Sequence, residues 1–205
     1  TYGPTSRERR SSQTAFARIV LLLDLMVAPI LAFTAEEVWA KIKRKGDPAS
    51  VHLAPWPELH EATRDRKLEE RWQRLQSVRS EIAKVIEAKR EVGEIRNSLE
   101  ARISLFSPAE AGEMLDFLRS FEGNLKTVFI VSSVEVLDAE KNGVPEKATP
   151  SAIDGLFIAI SGAPGQKCKR CWKYSPTVGQ SRQHPELCEE CVAVLSEFFD
   201  EQPSE

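Results

Sequence analysis

Between residues 5 and 93, apolar positions recur at three- and four-residue steps, the period of a helix that buries one stripe. Phe16, Ile19, Val20, Leu23, Met26, Val27 and Ile30 form the first stripe. Pro29 predicts a kink or an end there, because proline has no N–H and clashes with the preceding turn. A second helix is expected from Thr34. There Thr-Ala-Glu-Glu offers a capping box, with the Thr34 hydroxyl and Glu37 carboxylate meeting open backbone N–H groups. Val38, Trp39 and Ile42 supply its apolar face. Pro48, Pro55 and Pro57 break the pattern between Gly46 and Glu61 into a loop. A long helix follows from about Arg64 to Val92. Leu68, Trp72, Leu75, Val78, Ile82 and Val85 lie inside it, and charges of alternating sign lie outside.

From about residue 94 the period changes. Leu99, Ala101, Ile103 and Leu105 alternate with polar residues, which predicts a half-buried strand. Pro108 to Phe121 reads as a short amphipathic helix with proline near its start. Val128 to Val136 is rich in β-formers, and Gly155 to Ser161 predicts another strand. Residues 138–152 read as a polar insertion. The expected fold is multidomain and mainly α: a helical bundle over 1–93, a small α+β domain over 94–162, and a cysteine module over 163–205.

The most apolar run, Ile19 to Phe33, is interrupted by Asp24 and Pro29. It is also shorter than the roughly 20 residues a membrane span needs, so it predicts a buried core helix and no membrane partner. An isolated carboxylate in a core is costly. Asp24 should therefore sit at the helix surface or pair with a basic group, and surface exposure is the simpler expectation.

Of the 205 residues, 41% are hydrophobic and 29% charged, an ordinary globular balance. The net charge of −3 gives no general basic character, so any contact with nucleic acid must run through a local patch. The chain starts Thr-Tyr-Gly-Pro, without an initiator Met or a signal pattern, and reads as a piece of a longer protein. Four cysteines in two CxxC pairs with no secretion signal read as metal ligands in a reducing compartment, hence the cytoplasm.

Those pairs carry the clearest chemistry. Cys168-Lys-Arg-Cys171 and Cys188-Glu-Glu-Cys191 are separated by sixteen residues. Each tight CxxC turn brings two sulfurs to one ion, and the intervening loop returns the second turn to complete a tetrahedron. Soft thiolates with every position filled suit one structural zinc ion per chain, leaving no place for a catalytic water. His184 is a weaker competitor for a ligand position. Lys167, Lys169, Arg170, Lys173 and Arg182 lie in or beside the knuckle, with no acid between Lys167 and Pro185. Four thiolates around one divalent ion leave two negative charges, which five cations exceed. Trp172 and Tyr174 sit among them. Cations and rings so interleaved suit unpaired nucleotides, the cations meeting phosphates while rings stack on bases. Trp172 has a second reading as a lid over the metal, and both stay open.

Several segments carry a family resemblance. Ser-Ser-Gln-Thr-Ala at 11–15 and Ala28-Pro-Ile-Leu-Ala-Phe-Thr-Ala-Glu-Glu-Val-Trp39 resemble the anticodon-binding helices of class I aminoacyl-tRNA synthetases of the isoleucine, valine and leucine group. Val51-His-Leu-Ala-Pro-Trp-Pro57 is similar to the segment that follows there, and Arg96-Asn-Ser-Leu-Glu-Ala101 to the start of the α+β piece. Lys-Cys-Lys-Arg-Cys-Trp-Lys-Tyr with Cys-Glu-Glu-Cys downstream resembles the C-terminal zinc module of the bacterial isoleucine enzymes. The resemblance implies an anticodon-binding bundle and a zinc knuckle gripping the anticodon stem-loop of an isoleucine tRNA. It implies ATP-dependent attachment of isoleucine by upstream catalytic domains of the same polypeptide, acting as a monomer. The family's two ATP-binding signatures, His-Ile-Gly-His and Lys-Met-Ser-Lys-Ser, are absent here. No catalytic residue is therefore assigned. Trp172, Lys169, Arg170, Lys173 and Arg182 are the expected RNA contacts, with binding by this piece weak and salt-dependent.

Two other classes compete. One is a zinc-ribbon module that binds protein or DNA and shows no preference for tRNA. The other is a thiol–disulfide oxidoreductase, which lacks the βαβ frame such a CxxC uses.

Overall fold

The computed structural model describes residues 2–56, 64–108 and 113–200, with side chains to 197. Pro57 and the rest of the expected loop to Glu61, residues 109–112 of the expected short helix, and 201–205 of the cysteine module lie outside the described residues. Among the described residues there are seven α-helices and two small sheets. Packing divides the chain into two compact units, Thr1–Asp65 with Val194–Glu205, and Arg66–Ala193. This division falls ahead of the long helix. No helix among the described residues is long and apolar enough to cross a membrane.

In the first unit, α1 (Arg7–Val27) opens at Ser6, whose hydroxyl accepts the Arg9 N–H at 3.3 Å, and it stops before Pro29 as expected. Helix α2 (Ala32–Ile42) begins two residues ahead of Thr34, so the expected capping box does not form. Its first N–H groups turn instead on backbone, Ala35 donating to the Leu31 carbonyl at 2.9 Å. The two helices pack through Leu25, Ala28, Ala35 and Trp39, joined by Val51 from a single 3-10 turn, Val51–Leu53. The Trp39 indole N–H donates to the Pro48 carbonyl at 3.0 Å and ties the proline-rich loop to α2.

The second unit is built on α3 (Arg66–Glu91) and a four-stranded sheet. The expected Leu75, Val78, Ile82 and Val85 are buried, with Ile86, while Leu68 and Trp72 near the helix start are more exposed. That stripe packs into the same core as the sheet, which is why α3 belongs to this unit. A 3-10 turn at Ser98–Glu100 takes Leu99 out of the expected strand, leaving β1 as Ala101–Ser107. Then come α4 (Glu113–Arg119), α5 (Glu122–Val128), β2 (Ser133–Asp138), α6 (Ala139–Asn142), β3 (Thr149–Pro150) and β4 (Phe157–Gly162). The strand order is β2-β1-β4-β3, with β1 parallel to β2 and antiparallel to β4. A parallel pair needs a crossover, and α4 with α5 provides it. Strand β1 is central, and Ala101, Ile103 and Leu105 are wholly buried.

One expectation here is corrected. The run from Val128 is not strand throughout: Val128 closes α5, Ile130 turns with φ of 57°, and pairing starts only at Ser133. Phe121, Leu125 and Phe129 are buried one helical turn apart, and that period outweighs the β-branched residues downstream. The polar segment 138–152 contains α6 and β3. The Asp138 carboxylate caps α6 by accepting the Glu140 N–H at 3.1 Å, and β3 adds an edge to β4. Glu81 on α3 then pins the segment, accepting the Ala152 N–H at 2.9 Å and the Ser151 hydroxyl at 3.3 Å. Those bonds and the neighbouring Lys84 hold the Glu81 carboxyl below its ordinary range, the Lys84 contact being the largest cause.

The main correction concerns α1, which buries the face opposite the expected stripe. Phe16, Ile19, Leu23, Met26 and Ile30 are exposed, and Asp24 is 3% exposed beside Leu25 and Ala28. The run is apolar on both sides, so periodicity marks a helix without choosing its inner face. Contact with α2 makes the choice. Neither expectation for Asp24 holds: it is buried, its Oδ2 has no hydrogen-bond partner, and the charge that acts on its carboxyl is that of Glu36, not a cation. Burial first, and Glu36 second, push the Asp24 carboxyl above its ordinary range. The folded state thus holds this proton more tightly than the unfolded chain, and stability falls as pH rises through the carboxylate range. Asp24→Asn should raise the melting temperature of the first unit at pH 7. The gain should be roughly 1 kcal/mol, the low end for an unmet buried polar group, and should shrink toward pH 4. Thermal melts at both pH values check it, and a lower melting temperature at pH 7 would show that Asp24 has a counter-charge.

Candidate metal centre and its surroundings

Two short strands, β5 (Gln166–Lys167) and β6 (Tyr174–Ser175), pair antiparallel and hold the first CxxC turn between them. Their approach depends on Gly165, at φ of 89°. A Cβ there would lie 2.2 Å from the Ser175 carbonyl, so no other residue fits without shifting backbone. Within the turn, the Cys168 N–H donates to the Lys173 carbonyl and the Trp172 N–H to the Cys168 carbonyl, each at 2.9 Å. The second pair lies at the start of α7 (Glu189–Asp200), where Cys191 N–H donates back to the Cys188 carbonyl at 2.9 Å.

These two turns bring Cys168, Cys171, Cys188 and Cys191 together, with all four sulfurs within 4.8 Å of one another. Cys168, Cys188 and Cys191 are buried, and none of the four is in a disulfide. A tetrahedron with zinc–sulfur bonds of about 2.3 Å has edges of about 3.8 Å, and Cys171 Sγ lies 3.7 Å from Cys188 Sγ. The donor set therefore fits zinc in size and in softness. His184 does not join this cluster.

Left without a cation, the thiols conflict. Burial pushes Cys168 up, but N–H groups of Cys171, Cys188 and Arg170 outweigh it and bring that thiol down to about 6. Burial pushes Cys171 up, and pushes Cys188 up to about 12, helped there by the neighbouring sulfurs. Backbone N–H groups thus favour a thiolate at Cys168, while burial opposes one at Cys171 and Cys188. A divalent cation removes that conflict, since a coordinating thiol is deprotonated outright.

The expected RNA contacts are distributed unevenly. Trp172 is 61% exposed, so it is no lid. The apolar cover of the sulfurs comes from Val178 and Leu187, which sequence reasoning missed. The Trp172 backbone has φ of 66°, a left-handed conformation that costs a bulky residue about 1–2 kcal/mol. Lys167 Nζ stands 5.8 Å from its ring centroid. Lys169 is ion-paired with Glu186, and Lys173 lies 3.9 Å from Glu190, which also pairs with Lys126. Arg170 and Arg182 are exposed. The basic loop thus meets acids from just beyond it in sequence, a pairing that only the folded second turn reveals. Ser132 Oγ accepts the Tyr174 N–H at 2.7 Å and donates to the Leu99 carbonyl, fastening β6 to the sheet domain.

Comparison with known proteins agrees with this geometry. Residues 165–194 match a family described as a zinc finger found in FPG and IleRS. With the sulfur cluster, this gives the chain one structural zinc. The chain is 38% identical over 200 residues to an isoleucine–tRNA ligase of Moorella thermoacetica, covering 97% of this chain and 21% of that protein. An isoleucine–tRNA ligase of Geobacter sulfurreducens is 39% identical over 188 residues, with 92% and 20% covered. One of Syntrophotalea carbinolica is 40% identical over 195 residues, with 95% and 20% covered. The chain spans about a fifth of the length of these curated relatives. Residues 1–105, half of the chain, match the model of the anticodon-binding domain of tRNA ligase, and to that family the chain belongs.

Proposed function

We propose that this chain is the tRNA-recognition piece of an isoleucine–tRNA ligase. Upstream domains of the same polypeptide attach isoleucine to its tRNA with ATP. The observation that carries the reading is the anticodon-binding family match over half of the chain, joined to a zinc module in one continuous relationship with isoleucine–tRNA ligases. Its functional segments are the anticodon-binding bundle 1–93, the α+β junction 94–162 and the zinc module 163–205. The protein works as a cytoplasmic monomer on the anticodon stem-loop of an isoleucine tRNA. A competition assay tests it: isoleucine tRNA should displace a labelled probe better than other tRNAs or duplex DNA. Equal competition by duplex DNA would favour a general zinc-ribbon module.

In this reading Cys168, Cys171, Cys188 and Cys191 hold the zinc, and Trp172 is the recognition side chain beside it. Its left-handed backbone and solvent-facing ring support that role, because a glycine would serve the turn better. Arg170 and Arg182 contact phosphates directly, while Lys169 and Lys173 must exchange Glu186 and Glu190 for them. Protein kept reduced and never chelated should contain one zinc per chain. Chelation should melt residues 163–200 and spare the helices upstream, because metal binding and folding are one event in such modules. Cys171→Ser should abolish the site. Elemental analysis below about half an equivalent counts against four-sulfur ligation.

Trp172→Ala in the full-length enzyme should cost roughly 1–3 kcal/mol of tRNA affinity, the loss of one stacked base, while zinc is retained. Lys173→Ala should weaken all RNAs alike and lower the salt slope by about one unit. Affinity and zinc content measured on the same Trp172→Ala sample decide the matter. Unchanged affinity with full zinc removes stacking from the account.

A further inference from the structure

A second basic surface lies on the first unit, away from the cysteines in sequence and on different elements. Arg10, Gln13, Thr14, Ala17 and Arg18 from α1, with Arg44 just beyond α2, line an open pocket of about 460 Å³. Its lining holds three guanidinium groups, an amide and a hydroxyl, and no carboxylate. That is unusual in a chain whose net charge is −3. Among the described residues no ion pair engages Arg10, Arg18 or Arg44. Glu8, two residues before Arg10, is not in the lining, and Asp47, the acid nearest Arg44 in sequence, directs an oxygen to the Arg44 backbone N–H at 2.6 Å.

Position along α1 explains how the pocket forms. At about 100° per residue, positions 10, 14, 17 and 18 fall on one side of the helix. This is the side that meets α2 further on, at Leu21, Leu25 and Ala28. Beyond the end of α2 the same face is uncovered, and Arg44 closes its edge. The apolar stripe of Phe16, Ile19, Leu23 and Met26 faces about half a turn away. Anything that covers that stripe leaves the arginines accessible.

We infer that Arg10, Arg18 and Arg44 form a seat for the sugar–phosphate backbone of RNA, with Gln13 and Thr14 as neutral donors. This rests on the tRNA reading and deepens it. Guanidinium forks match phosphate oxygens two at a time, and amides and hydroxyls are the usual partners of phosphate and sugar. Such contacts set register and carry no base preference. They are a different kind of contact from the one at Trp172, and they should respond differently to salt.

The test uses the full-length ligase with isoleucine tRNA, titrated over a range of salt concentrations. The variant Arg10→Ala/Arg18→Ala/Arg44→Ala should lose about tenfold to a hundredfold in affinity at low salt. At about 0.7 per phosphate on a single strand, the salt slope should fall by about two units. The triple lysine variant should keep the slope. A charge-matched control, Arg79→Ala/Arg119→Ala/Lys147→Ala, removes three exposed cations from the second unit. Affinity loss confined to the pocket variant supports the seat. Equal losses in both variants, or an unchanged slope in the pocket variant while wild type binds tRNA, overturn it. Wild-type enzyme with no preference for tRNA removes the underlying reading instead, so the two failures are distinguishable. Because all three arginines are exposed, thermal melts should match wild type, and a shifted melt would mean the side chains are structural.

Discussion

Four thiols within 4.8 Å of one another are the arrangement on which the C-terminal cysteine module of this protein depends. The module has almost no apolar core of its own. Among the described residues, three buried cysteines with Cys171, Val178 and Leu187 against them make up its cluster. A segment that short cannot bury enough surface to offset its ordering entropy. The bound cation supplies the missing cohesion, and backbone conformation follows from it. The first turn closes Cys168 onto Trp172, and the second starts α7. Gly165 lets β5 approach β6 closely enough for the turn to form. The knuckle is then fastened to the sheet domain through Ser132, and through Glu190 between Lys126 and Lys173. Rigidity at the metal is thereby passed to a surface that can present a ring.

That fastening changes the electrostatics. The basic loop is acid-free as a stretch of sequence, yet Glu186 and Glu190 fold back against two of its lysines. Both lysines lie at or near the surface, but a phosphate must compete for them. The ion pair at Lys169 is largely exposed and so contributes little to stability. Glu190 is tied more closely, its carboxyl held below the ordinary range first by Lys126 and further by Lys173, against the effect of burial. It fixes the knuckle on α5 and limits how far Lys173 can reach.

Much of the protein was legible from residue order. The cysteine spacing marks the metal centre, the alternation at Ala101, Ile103 and Leu105 marks the central strand, and the period of Leu75, Val78, Ile82 and Val85 marks the inner stripe of α3, though Leu68 and Trp72 at its start are exposed. Failures came where two patterns overlap. Around Leu21 to Ile30 the helix is apolar on two sides, and only packing against α2 selects the side that includes Asp24. At Thr34 a capping box is written in the sequence, but Leu31 follows the Pro29 turn so tightly that the helix has already begun. Near Val128, β-branched residues hid a helical period at Phe121, Leu125 and Phe129 that was present in the sequence. Pairing between distant residues, such as Glu81 with Ser151 and Ala152, left no local signal at all.

The two faces of α1 and the two basic surfaces together suggest how an acidic protein can hold a polyanion. Net charge acts at long range and is screened within about 10 Å at 0.1 M salt. Beyond that distance, the overall −3 does little to repel RNA. Inside it, only local composition matters. At the pocket on α1, three arginines meet no carboxylate in the lining. At the knuckle, exposed Arg170 and Arg182 flank an exposed ring. Phosphate seats of the first kind give affinity without base preference, while a rigid ring gives contact energy that salt barely touches. In the proposed reading, dividing the work in this way would let recognition rest on a side chain whose backbone is held by metal.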